Sequence, residues 1–247
     1  MSEVFSNVYD DAERASAYAK LELPGTYYLA YRDLPAILGE QVRGTRALDF
    51  GCGTGRSSRF LRDLGFDTVG VDIAEPMLTL ARQQDPDGDY RLVSDGDLGA
   101  LEIDHYDLVL AAFTFDNIPT MDKKDVLFRS LKALLREGGR IVIVVSAPEL
   151  YVNEWASFST ADFPENRSAQ SGDTVRVVML DVEDQRPVED VLCTDAVYRD
   201  VFERAGLEAI STHRPLALDS EPFSWVSETT IAPWAIHVLG VADTKEA

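Results

Sequence analysis

The fold of this chain is decided by one short stretch, Leu48-Asp49-Phe50-Gly51-Cys52-Gly53-Thr54-Gly55. The apolar run from Ala47 to Phe50 predicts a short buried strand, and the residues from Arg56 to Leu64 predict a helix. Between them lie three glycines, and without a Cβ the backbone can turn sharply and approach a ligand closely. The start of the following helix adds backbone N–H donors and a partial positive charge. The stretch therefore predicts a strand, a loop and a helix that together bind a ligand.

An acidic residue, Asp72, ends the next predicted strand, which runs from Thr68 to Asp72. A carboxylate about 20 residues after such a loop can accept both hydroxyls of a ribose. The dinucleotide fingerprint is GxGxxG, whereas here Arg56 occupies the place of its third glycine. Asp49 makes the loop badly suited to a pyrophosphate and well suited to a ligand that carries an ammonium group. The loop and Asp72 therefore favour an adenosine cofactor other than a dinucleotide.

Strands and helices alternate outward from this loop, from Thr45 to Ser146 and again after Thr194. Further strands are predicted at Tyr90–Val93, Leu108–Phe113, Ile141–Ser146, Leu207–Thr212 and Trp234–Leu239. Further helices are predicted at Pro76–Gln84, at Lys123–Arg136 with a stop at Gly138-Gly139, and from Thr194 or Asp195 to Gly206. Continuous apolar strands separated by helices indicate a parallel sheet covered on both faces. We therefore expect an α/β fold with a Rossmann-like, doubly wound, mostly parallel sheet of seven strands.

We expect a single domain that spans residues 1–247 and has four parts. These are an N-terminal helical cap (1–40), a core with the glycine loop (41–146), an insertion after the fifth strand (147–192) and the C-terminal part of the core (193–240). The insertion carries Tyr151, Trp155 and Phe158, followed by a predicted hairpin of Val175–Leu180 with Val188–Leu192. Either these aromatic residues form a satellite structural cluster or the insertion is a substrate lid, and we predict the lid.

The charge of the chain restricts its partners. It has 247 residues, with 43 Asp plus Glu against 23 Lys plus Arg, and a formal net charge of -20. Such a surface repels phosphate backbones and anionic lipid headgroups, so we expect neither nucleic acid nor membrane as a partner. Two distant cysteines, Cys52 and Cys193, form no disulfide framework and no metal-binding spacing, so no metal is expected. With no secretory signal at the start, a cytoplasmic location is expected.

Several segments of the chain resemble the class I S-adenosylmethionine (SAM)-dependent methyltransferases, in their small-molecule, type 11-like branch. The stretch Asp49–Gly55 resembles their motif I, and Val69–Ala74 resembles their ribose-binding strand end. Weaker similarities lie at Asn7–Asp10 with Tyr18, at Ser94–Asp97, at Tyr106–Ala111, and at Leu134–Gly139, where Arg-Glu stands in place of the usual Lys-Pro. The resemblance covers most of the chain except roughly residues 151–190.

The resemblance implies SAM as cofactor and S-adenosylhomocysteine as product. It implies binding of the amino-acid end by Asp49, Gly51 and Gly53, of the ribose by Asp72, and of the adenine by Ile73 and Asp95, with Phe113 beside the methyl-transfer site. Further predicted cofactor contacts are Tyr9, Tyr18, Cys52, Gly55, Met77, Gly96 and Asp97. Structural alternatives stay open for some of these residues. Asp72 can be a helix N-cap, Asp95 can be a turn residue with Asp97 as its competitor for the adenine, and Cys52 can simply fill space.

Two residues are predicted to act on the methyl acceptor. Asp116 follows the fourth strand, where a base or a substrate-orienting group would lie, and Tyr151 lies in the insertion. A sulfonium is already an activated methyl donor, so alignment in a dry pocket is the main requirement, and a base is needed only for a protonated acceptor. The segment Ala111–Pro119 lacks the Asn/Asp-Pro-Pro-aromatic motif of enzymes that methylate planar nitrogens.

We therefore predict methyl transfer to an oxygen or an amine of a small metabolite, by a monomer or a homodimer. Three alternatives stay open. The chain would act on a protein or peptide, it would bind SAM without catalysis, or it would be a nicotinamide-dependent oxidoreductase, which the glycine spacing disfavours.

Overall fold

Strands and helices alternate through the residues that the computed structural model describes, 24–94 and 97–242. The strands are β1 (Arg46–Phe50), β2 (Asp67–Asp72), β3 (Asp89–Leu92), β4 (Tyr106–Ala112), β5 (Leu135–Ser146), β6 (Phe158–Ser159), β7 (Thr174–Met179), β8 (Val188–Val191), β9 (Leu207–His213) and β10 (Trp234–Val241). The α-helices are α1 (Thr26–Arg32), α2 (Leu34–Gln41), α3 (Arg56–Asp63), α4 (Glu75–Gln84), α5 (Met121–Leu134) and α6 (Asp195–Ala205). Short 3₁₀ helices occur at Phe115–Asn117, Pro148–Val152 and Pro164–Ser168.

The main sheet has seven strands in the order β3-β2-β1-β4-β5-β10-β9. Strands β1 to β5 pair in parallel, whereas β10 is antiparallel to both β5 and β9. The strand order reverses between β1 and β4, and ligands of open α/β sheets bind beyond the carboxyl ends of the strands at such a point. The predicted fold class, a doubly wound and mostly parallel seven-stranded sheet, is confirmed.

The sheet carries a core on each of its faces. Along β4, the side chains of Leu108 and Leu110 belong to one buried cluster, and those of Val109 and Ala111 belong to the other. This alternation follows from the period of two in a strand. Because both faces are buried, β4 has to be apolar throughout, which explains why its sequence reads as a continuous apolar run.

Most predicted helix and strand ends are confirmed, but the predicted helix stop at Gly138-Gly139 is wrong. Helix α5 ends at Leu134 and β5 begins at the next residue. Gly138 lies inside β5 with a φ of 76°. The register between β4 and β5 shifts there, because Tyr106 pairs with Leu135 whereas Leu108 pairs with Arg140. The glycine therefore accommodates a bulge within a strand, not the end of a helix.

The insertion after β5 forms a small antiparallel sheet in the order β6-β7-β8. The predicted hairpin is confirmed as β7 paired with β8, whereas the short strand β6 was not predicted. Trp155 is buried within this insertion, and its indole N–H donates to the Leu150 carbonyl at 2.8 Å. Trp155 thus has the structural role that was the alternative to a lid.

A buried carboxylate joins the insertion to the rest of the molecule. The side chain of Glu228 accepts from the hydroxyl of Thr26 at 2.6 Å, from the amide of Ala156 at 2.7 Å and from the amide of Val226 at 2.8 Å. Glu228 is fully buried, and a buried carboxylate is stable only when its oxygens are hydrogen-bonded in this way. The start of α1, the insertion and the segment before β10 are therefore fixed together.

The described part of the predicted N-terminal cap consists of α1 and α2, and Pro35 lies in the first turn of α2, where it is tolerated. Residues 1–23 of the predicted cap lie outside the described residues. Within the described ranges, no helix has the length and apolar character needed to cross a bilayer.

Candidate active site

A cavity lies beyond the carboxyl ends of β1, β2 and β4, at the reversal of strand order. Its wall is formed by the glycine loop after β1, the end of β2, the 3₁₀ helix after β4, and inward-facing residues of β7 and β8. Parallel strands bring their carboxyl ends to one edge, so the topology alone places these loops side by side. The cavity therefore joins the segments in which the sequence predicted a site.

The glycine loop has a backbone that only glycine adopts easily. Gly51 and Gly53 have φ values of 74° and 53°, in the left-handed region. A Cβ on Gly51 would overlap the side chain of Thr114, whereas a Cβ on Gly53 would meet only the Met77 methyl, at 3.1 Å. The amides of Gly51 and Cys52 both donate to the Val71 carbonyl, at 2.9 and 3.0 Å. The loop is thereby fixed to β2. The space beside Gly51 is filled by Thr114, whereas a side chain on Gly53 would meet only Met77 on the cavity wall.

We expect Gly51→Ala to lower stability and to weaken cofactor binding about tenfold, because the new methyl group both strains the backbone and displaces Thr114. The matched control is Gly138→Ala, which has a nearly identical φ of 76° but no atom within 4 Å of the added Cβ. It should lose only the roughly 1 kcal/mol of a left-handed residue and should bind cofactor normally. Thermal unfolding and calorimetric titration measure both effects, and equal losses in the two variants would contradict the packing argument.

Asp72 ends β2 with its carboxylate held in place by backbone. One oxygen accepts from the Gly53 amide and the other from the Ala74 amide, each at 2.8 Å. The carboxylate thus stabilises both the glycine loop and the turn before α4, which is the structural role that a capping residue would have. Asp72 also lines the cavity, next to the half-exposed Ile73. This arrangement holds a carboxylate in a fixed direction beside an apolar surface, and it fits a nucleoside.

Asp49 is fully buried behind the loop and does not lie on the cavity wall. Its Oδ2 accepts from Ser57 and Ser58, at 2.7 and 2.6 Å, and its Oδ1 has no partner among the described residues. Burial raises the pKa of Asp49 to about 6, although both serine hydrogen bonds oppose the shift. The side chain of Asp49 therefore has no contact with the cavity. That Asp49 holds the amino-acid end of the cofactor stays a prediction.

The charges around the loop nevertheless discriminate between cofactors. Asp49 behind the loop would repel a pyrophosphate and attract the ammonium and sulfonium of SAM, whereas the position of Asp72 suits the ribose of either cofactor. The residues present therefore fit SAM better than a dinucleotide.

Asp116 also lines the cavity, in the 3₁₀ helix after β4. Its Oδ2 accepts from both the amide and the hydroxyl of Ser146, at 3.0 and 2.9 Å. Burial raises the pKa of Asp116 to about 6, and the hydrogen bonds of Ser146 and the charge of Lys124 oppose this. A group with such a pKa can accept a proton near neutral pH.

Lys124 is a fully buried lysine behind Asp116, and sequence analysis did not find it. Its ammonium donates to the Phe115 carbonyl. Burial lowers the pKa of Lys124, whereas the charges of Asp116 and Asp190 raise it. From the sequence, a lysine in the first turns of a helix is expected to be exposed to solvent. The structure shows instead that Lys124 is buried, with its ammonium against the 3₁₀ helix.

Tyr151 does not lie on the wall of this cavity. Its hydroxyl donates to Asp190 at 3.0 Å, and Asp190 does lie on the wall. The amide of Asn117 donates to the other oxygen of Asp190, at 3.1 Å. Asp190 was not among the predicted site residues. The sequence does carry a signal for it, since Asp190 shares a face of β8 with the buried Val188. A carboxylate on the apolar face of a strand requires an explanation.

Aromatic side chains form the remaining side of the cavity. Phe113 packs on Trp234 with ring centroids 4.9 Å apart, and Tyr27 packs on Phe158 at 4.9 Å. Phe113 has a φ of 63°, which is rare for an aromatic residue, and it lies directly after β4. Such strained backbone concentrates at functional sites. Phe113, the predicted border residue, contacts Tyr27 and Trp234 on the aromatic side, and the next residue, Thr114, lies against Gly51 of the glycine loop.

The predicted site residues fall into three groups. Those on the cavity wall are Gly51, Cys52, Gly53, Asp72, Ile73, Met77, Phe113 and Asp116. Those described but absent from the wall are Asp49, Gly55, Asp97 and Tyr151. Those outside the described residues are Tyr9, Tyr18, Asp95 and Gly96. Asp97, the competitor of Asp95 for the adenine, accepts from the Gly99 amide at 2.9 Å, which is a contact typical of a turn residue.

Comparisons with known sequences agree with this geometry. A family model described as a methyltransferase domain matches residues 25–212. Relatives include the ubiquinone biosynthesis O-methyltransferase of Bordetella avium, which is 32% identical over 106 residues, or 41% of this chain and 43% of the relative. The corresponding protein of Bordetella pertussis is 34% identical over 102 residues, or 40% of this chain and 41% of the relative. Each match spans less than half of the relative's length.

Solved structures with the same fold cover much more of the chain. The CcbJ methyltransferase from Streptomyces caelestis has a TM-score of 0.63 at 20% identity, covering 92% of this chain and 96% of that one. An S-adenosylmethionine dependent methyltransferase from Mesorhizobium loti has a TM-score of 0.61 at 19% identity, covering 85% and 97%. At these identities the likeness establishes the fold alone.

Proposed function

The chain belongs to the methyltransferase-domain family, and from that premise we propose that it is a SAM-dependent methyltransferase that moves a methyl group to an oxygen or an amine of a small metabolite. The observation that carries the proposal is one cavity whose wall combines the glycine loop and Asp72 with Asp116 and several aromatic side chains. We propose that the glycine loop and Asp72 form its cofactor end, and that Asp116 and the aromatic side chains form its acceptor end. A donor bound at the first end would present its methyl group to an acceptor at the second.

The cofactor end is built to bind and orient. Asp72 would accept from the ribose hydroxyls, while Ile73 and Met77 offer an apolar surface to the adenine. Gly51 and Gly53 allow the amino-acid end to lie against the backbone. When bound, SAM would supply a methyl group attached to a sulfonium. This methyl group is readily transferred, because the sulfur departs as a neutral thioether. The remaining requirement on the protein is to bring the acceptor into line with that methyl group.

The acceptor end supplies orientation, a dry environment and a base. The aromatic rings of Tyr27, Phe113 and Trp234 exclude water from the acceptor. Asp116 would accept the acceptor's proton, and Ser146 fixes the direction of its carboxylate. The carboxylate of Asp116 is preorganised, because its hydrogen bonds from the amide and the hydroxyl of Ser146 do not depend on a bound ligand.

The insertion is proposed to close the acceptor end as a lid. Its strands β7 and β8 contribute Val177, Met179 and Asp190 to the cavity wall. We further propose that the chain forms one domain, acts in the cytoplasm as a monomer or a homodimer, and has no nucleic-acid or membrane partner. The net charge of -20 supports the absence of nucleic-acid and membrane partners, and the names of the bacterial biosynthetic relatives support the cytoplasmic location.

The proposal is tested by a screen for the acceptor. The protein is incubated with SAM carrying a labelled methyl group and with a fractionated metabolite extract, and labelled products are identified by mass. Label in a small product is the expected result, and at a SAM concentration near the Kd of the unaltered protein Asp72→Ala should form far less of it. Label confined to the protein fraction would instead indicate a protein or peptide methyltransferase. Tight SAM binding without transfer to either fraction would indicate a binding protein without catalysis.

A further inference from the structure

The insertion contacts the short segment that carries the proposed base. Resting on the proposed function, we propose that Asp190 of the inserted hairpin is a positioning residue for Asp116, because it holds the 3₁₀ helix Phe115–Asn117 through the side chain of Asn117. The hairpin then does more than cover the acceptor, since it completes the placement of the base. A chain in which this contact is broken would bind SAM but would transfer methyl groups slowly.

The 3₁₀ helix that carries Asp116 is too short to fix its own position. It has three residues. The backbone hydrogen bonds of its turn, which end on the carbonyls of Thr114 and Phe115, are 3.2 and 3.4 Å long. Short 3₁₀ segments have poorer hydrogen-bond geometry than an α-helix. Contacts with neighbouring elements must therefore fix the direction in which the Asp116 side chain points.

Two of these contacts come from the main fold. The Phe115 carbonyl accepts from the buried ammonium of Lys124 on α5. The Asp116 carboxylate accepts from the amide and the hydroxyl of Ser146 at the end of β5, at 3.0 and 2.9 Å. Ser146 is itself fixed, because β5 pairs with β10 there. The first two residues of the 3₁₀ helix are thus held by the core of the molecule.

The third residue of the 3₁₀ helix is held by the insertion. The side-chain amide of Asn117 donates to one oxygen of Asp190 at 3.1 Å, and the hydroxyl of Tyr151 donates to the other at 3.0 Å. Tyr151 lies in the 3₁₀ helix Pro148–Val152, shortly after Ser146 in the chain. Asp190 therefore joins the residue next to the base to the segment that follows the hydrogen-bond partner of the base.

Burial makes these contacts costly to break. Asp116, Tyr151 and Asp190 are all buried, and a buried polar group that loses its partner costs about 1–3 kcal/mol. The three segments are therefore kept together. A carboxylate beside the buried Val188 on β8 would otherwise be an unfavourable choice, and its contact with Asn117 gives it a task.

The first experiment separates catalysis from binding in the full chain. The metabolite fraction that yields the labelled small product serves as the acceptor, and its dilution series at saturating SAM gives a relative maximum rate and a relative half-saturating amount. We expect Asp190→Ala to lower the maximum rate at least about tenfold, because misplacing a reacting group by about 1 Å can cost on the order of 100-fold. The half-saturating amount and the affinity for S-adenosylhomocysteine should stay within about twofold. Asn117→Ala should behave in the same way.

The matched control is Glu189→Gln, the neighbouring residue on the exposed face of β8, where it pairs with Arg176 at 2.9 Å. It should keep the full maximum rate. Tyr151→Phe leaves the contact between Asp190 and Asn117 in place, so its maximum rate should fall only part of the way.

A double variant distinguishes positioning of the base from general support of the fold. When Asp116→Asn has removed the base, there is nothing left for Asp190 to position. Adding Asp190→Ala to Asp116→Asn should therefore lower the maximum rate less than about twofold further. A residue that merely supports the fold would lower the rate of Asp116→Asn by the same factor as that of the unaltered protein.

A second experiment needs neither acceptor nor cofactor. The carboxyl signal of Asp116 is followed by NMR as the pH is varied, in the full chain labelled with carbon-13 aspartate, and Asp116→Asn assigns the signal. Burial is the largest cause that raises the pKa of Asp116 to about 6. Asn117→Ala breaks the contact with Asp190 without altering any charge, and the released carboxylate becomes better hydrated. It should therefore titrate at lower pH, whereas Glu189→Gln should leave the titration unchanged.

Several outcomes would overturn the inference. These are an unchanged maximum rate in Asn117→Ala, a loss in Asp190→Ala that is confined to the half-saturating amount, a full further loss in the double variant, or an unmoved Asp116 titration in Asn117→Ala. Thermal unfolding shows whether each variant is folded, and Asn117→Ala keeps the hydrogen bond between Tyr151 and Asp190 if Asp190→Ala does not fold. No labelled product with the unaltered protein would count against the proposed function, and the titration would still test the inference.

Discussion

Asp72→Ala is expected to weaken the binding of SAM and S-adenosylhomocysteine about 100-fold. On the proposed role of Asp72, the variant would lose two charge-assisted hydrogen bonds to ribose hydroxyls, about 3 kcal/mol together, and each 1.4 kcal/mol is tenfold in affinity. It also loses the two backbone hydrogen bonds that hold the Gly53 amide and the turn before α4. Calorimetric titration measures the affinity directly.

Asp67→Ala is the matched control for that experiment. Asp67 is an exposed aspartate at the opposite end of the same strand, β2. It should bind both ligands as the unaltered protein does. Because Asp72 also supports the loop, Asp72→Asn is a second test that keeps the side-chain shape, although its amide NH2 replaces one of the two oxygens that accept from the Gly53 and Ala74 amides. Normal affinity in both Asp72 variants would exclude Asp72 from the cofactor site.

Asp116→Asn is expected to lower kcat about 100-fold at pH 7.5, while leaving SAM affinity within about twofold. A positioned base contributes on the order of 100-fold or more to a proton-coupled step. Only the carboxylate form of Asp116 accepts a proton, and its pKa is raised to about 6. For the unaltered protein, kcat at saturating SAM should therefore fall as the pH drops through about 6. Asp116→Asn should remove that dependence together with most of the activity.

Lys124→Met shows whether the pH dependence belongs to Asp116. Removing the buried ammonium removes a charge that lowers the Asp116 pKa, so the acidic fall in kcat should move to higher pH. Asp49 also has a pKa of about 6, but it lies at the cofactor end and should alter SAM affinity, not kcat at saturation. An unmoved pH profile in Lys124→Met would mean that another group controls it.

The features that the sequence predicted correctly are those that depend on residues close together in the chain, such as the ends of the successive strands. The glycine loop, Asp72 and Asp116 all follow strands whose apolar runs identify them, and parallel strands bring their ends to one edge. Such residues can be assigned to a site as soon as the strands are recognised. The same reasoning placed the hairpin of the insertion and the end of α6 at Gly206, which has a φ of 71°.

What the sequence did not predict depends on contacts between distant residues. Asp190 meets Asn117, which lies 73 residues earlier in the chain, and nothing local to either residue indicates that contact. Lys124 is buried, and its ammonium donates to a carbonyl of the 3₁₀ helix that precedes it in the chain. Gly138 reads as a helix end because glycine serves equally well at helix ends and at strand bulges. Side-chain burial and strand register thus decide these cases.

The anchoring of Glu228 limits how this chain can be recombined with its relatives. Its carboxylate is shared by Thr26, Ala156 and Val226, which belong to three separate regions of sequence. A chimera that exchanges residues 147–192 alone would import the hairpin but break this junction whenever the donor pairs it differently. Designers who want to transplant acceptor specificity should therefore move the insertion together with the start of α1 and the segment around Glu228.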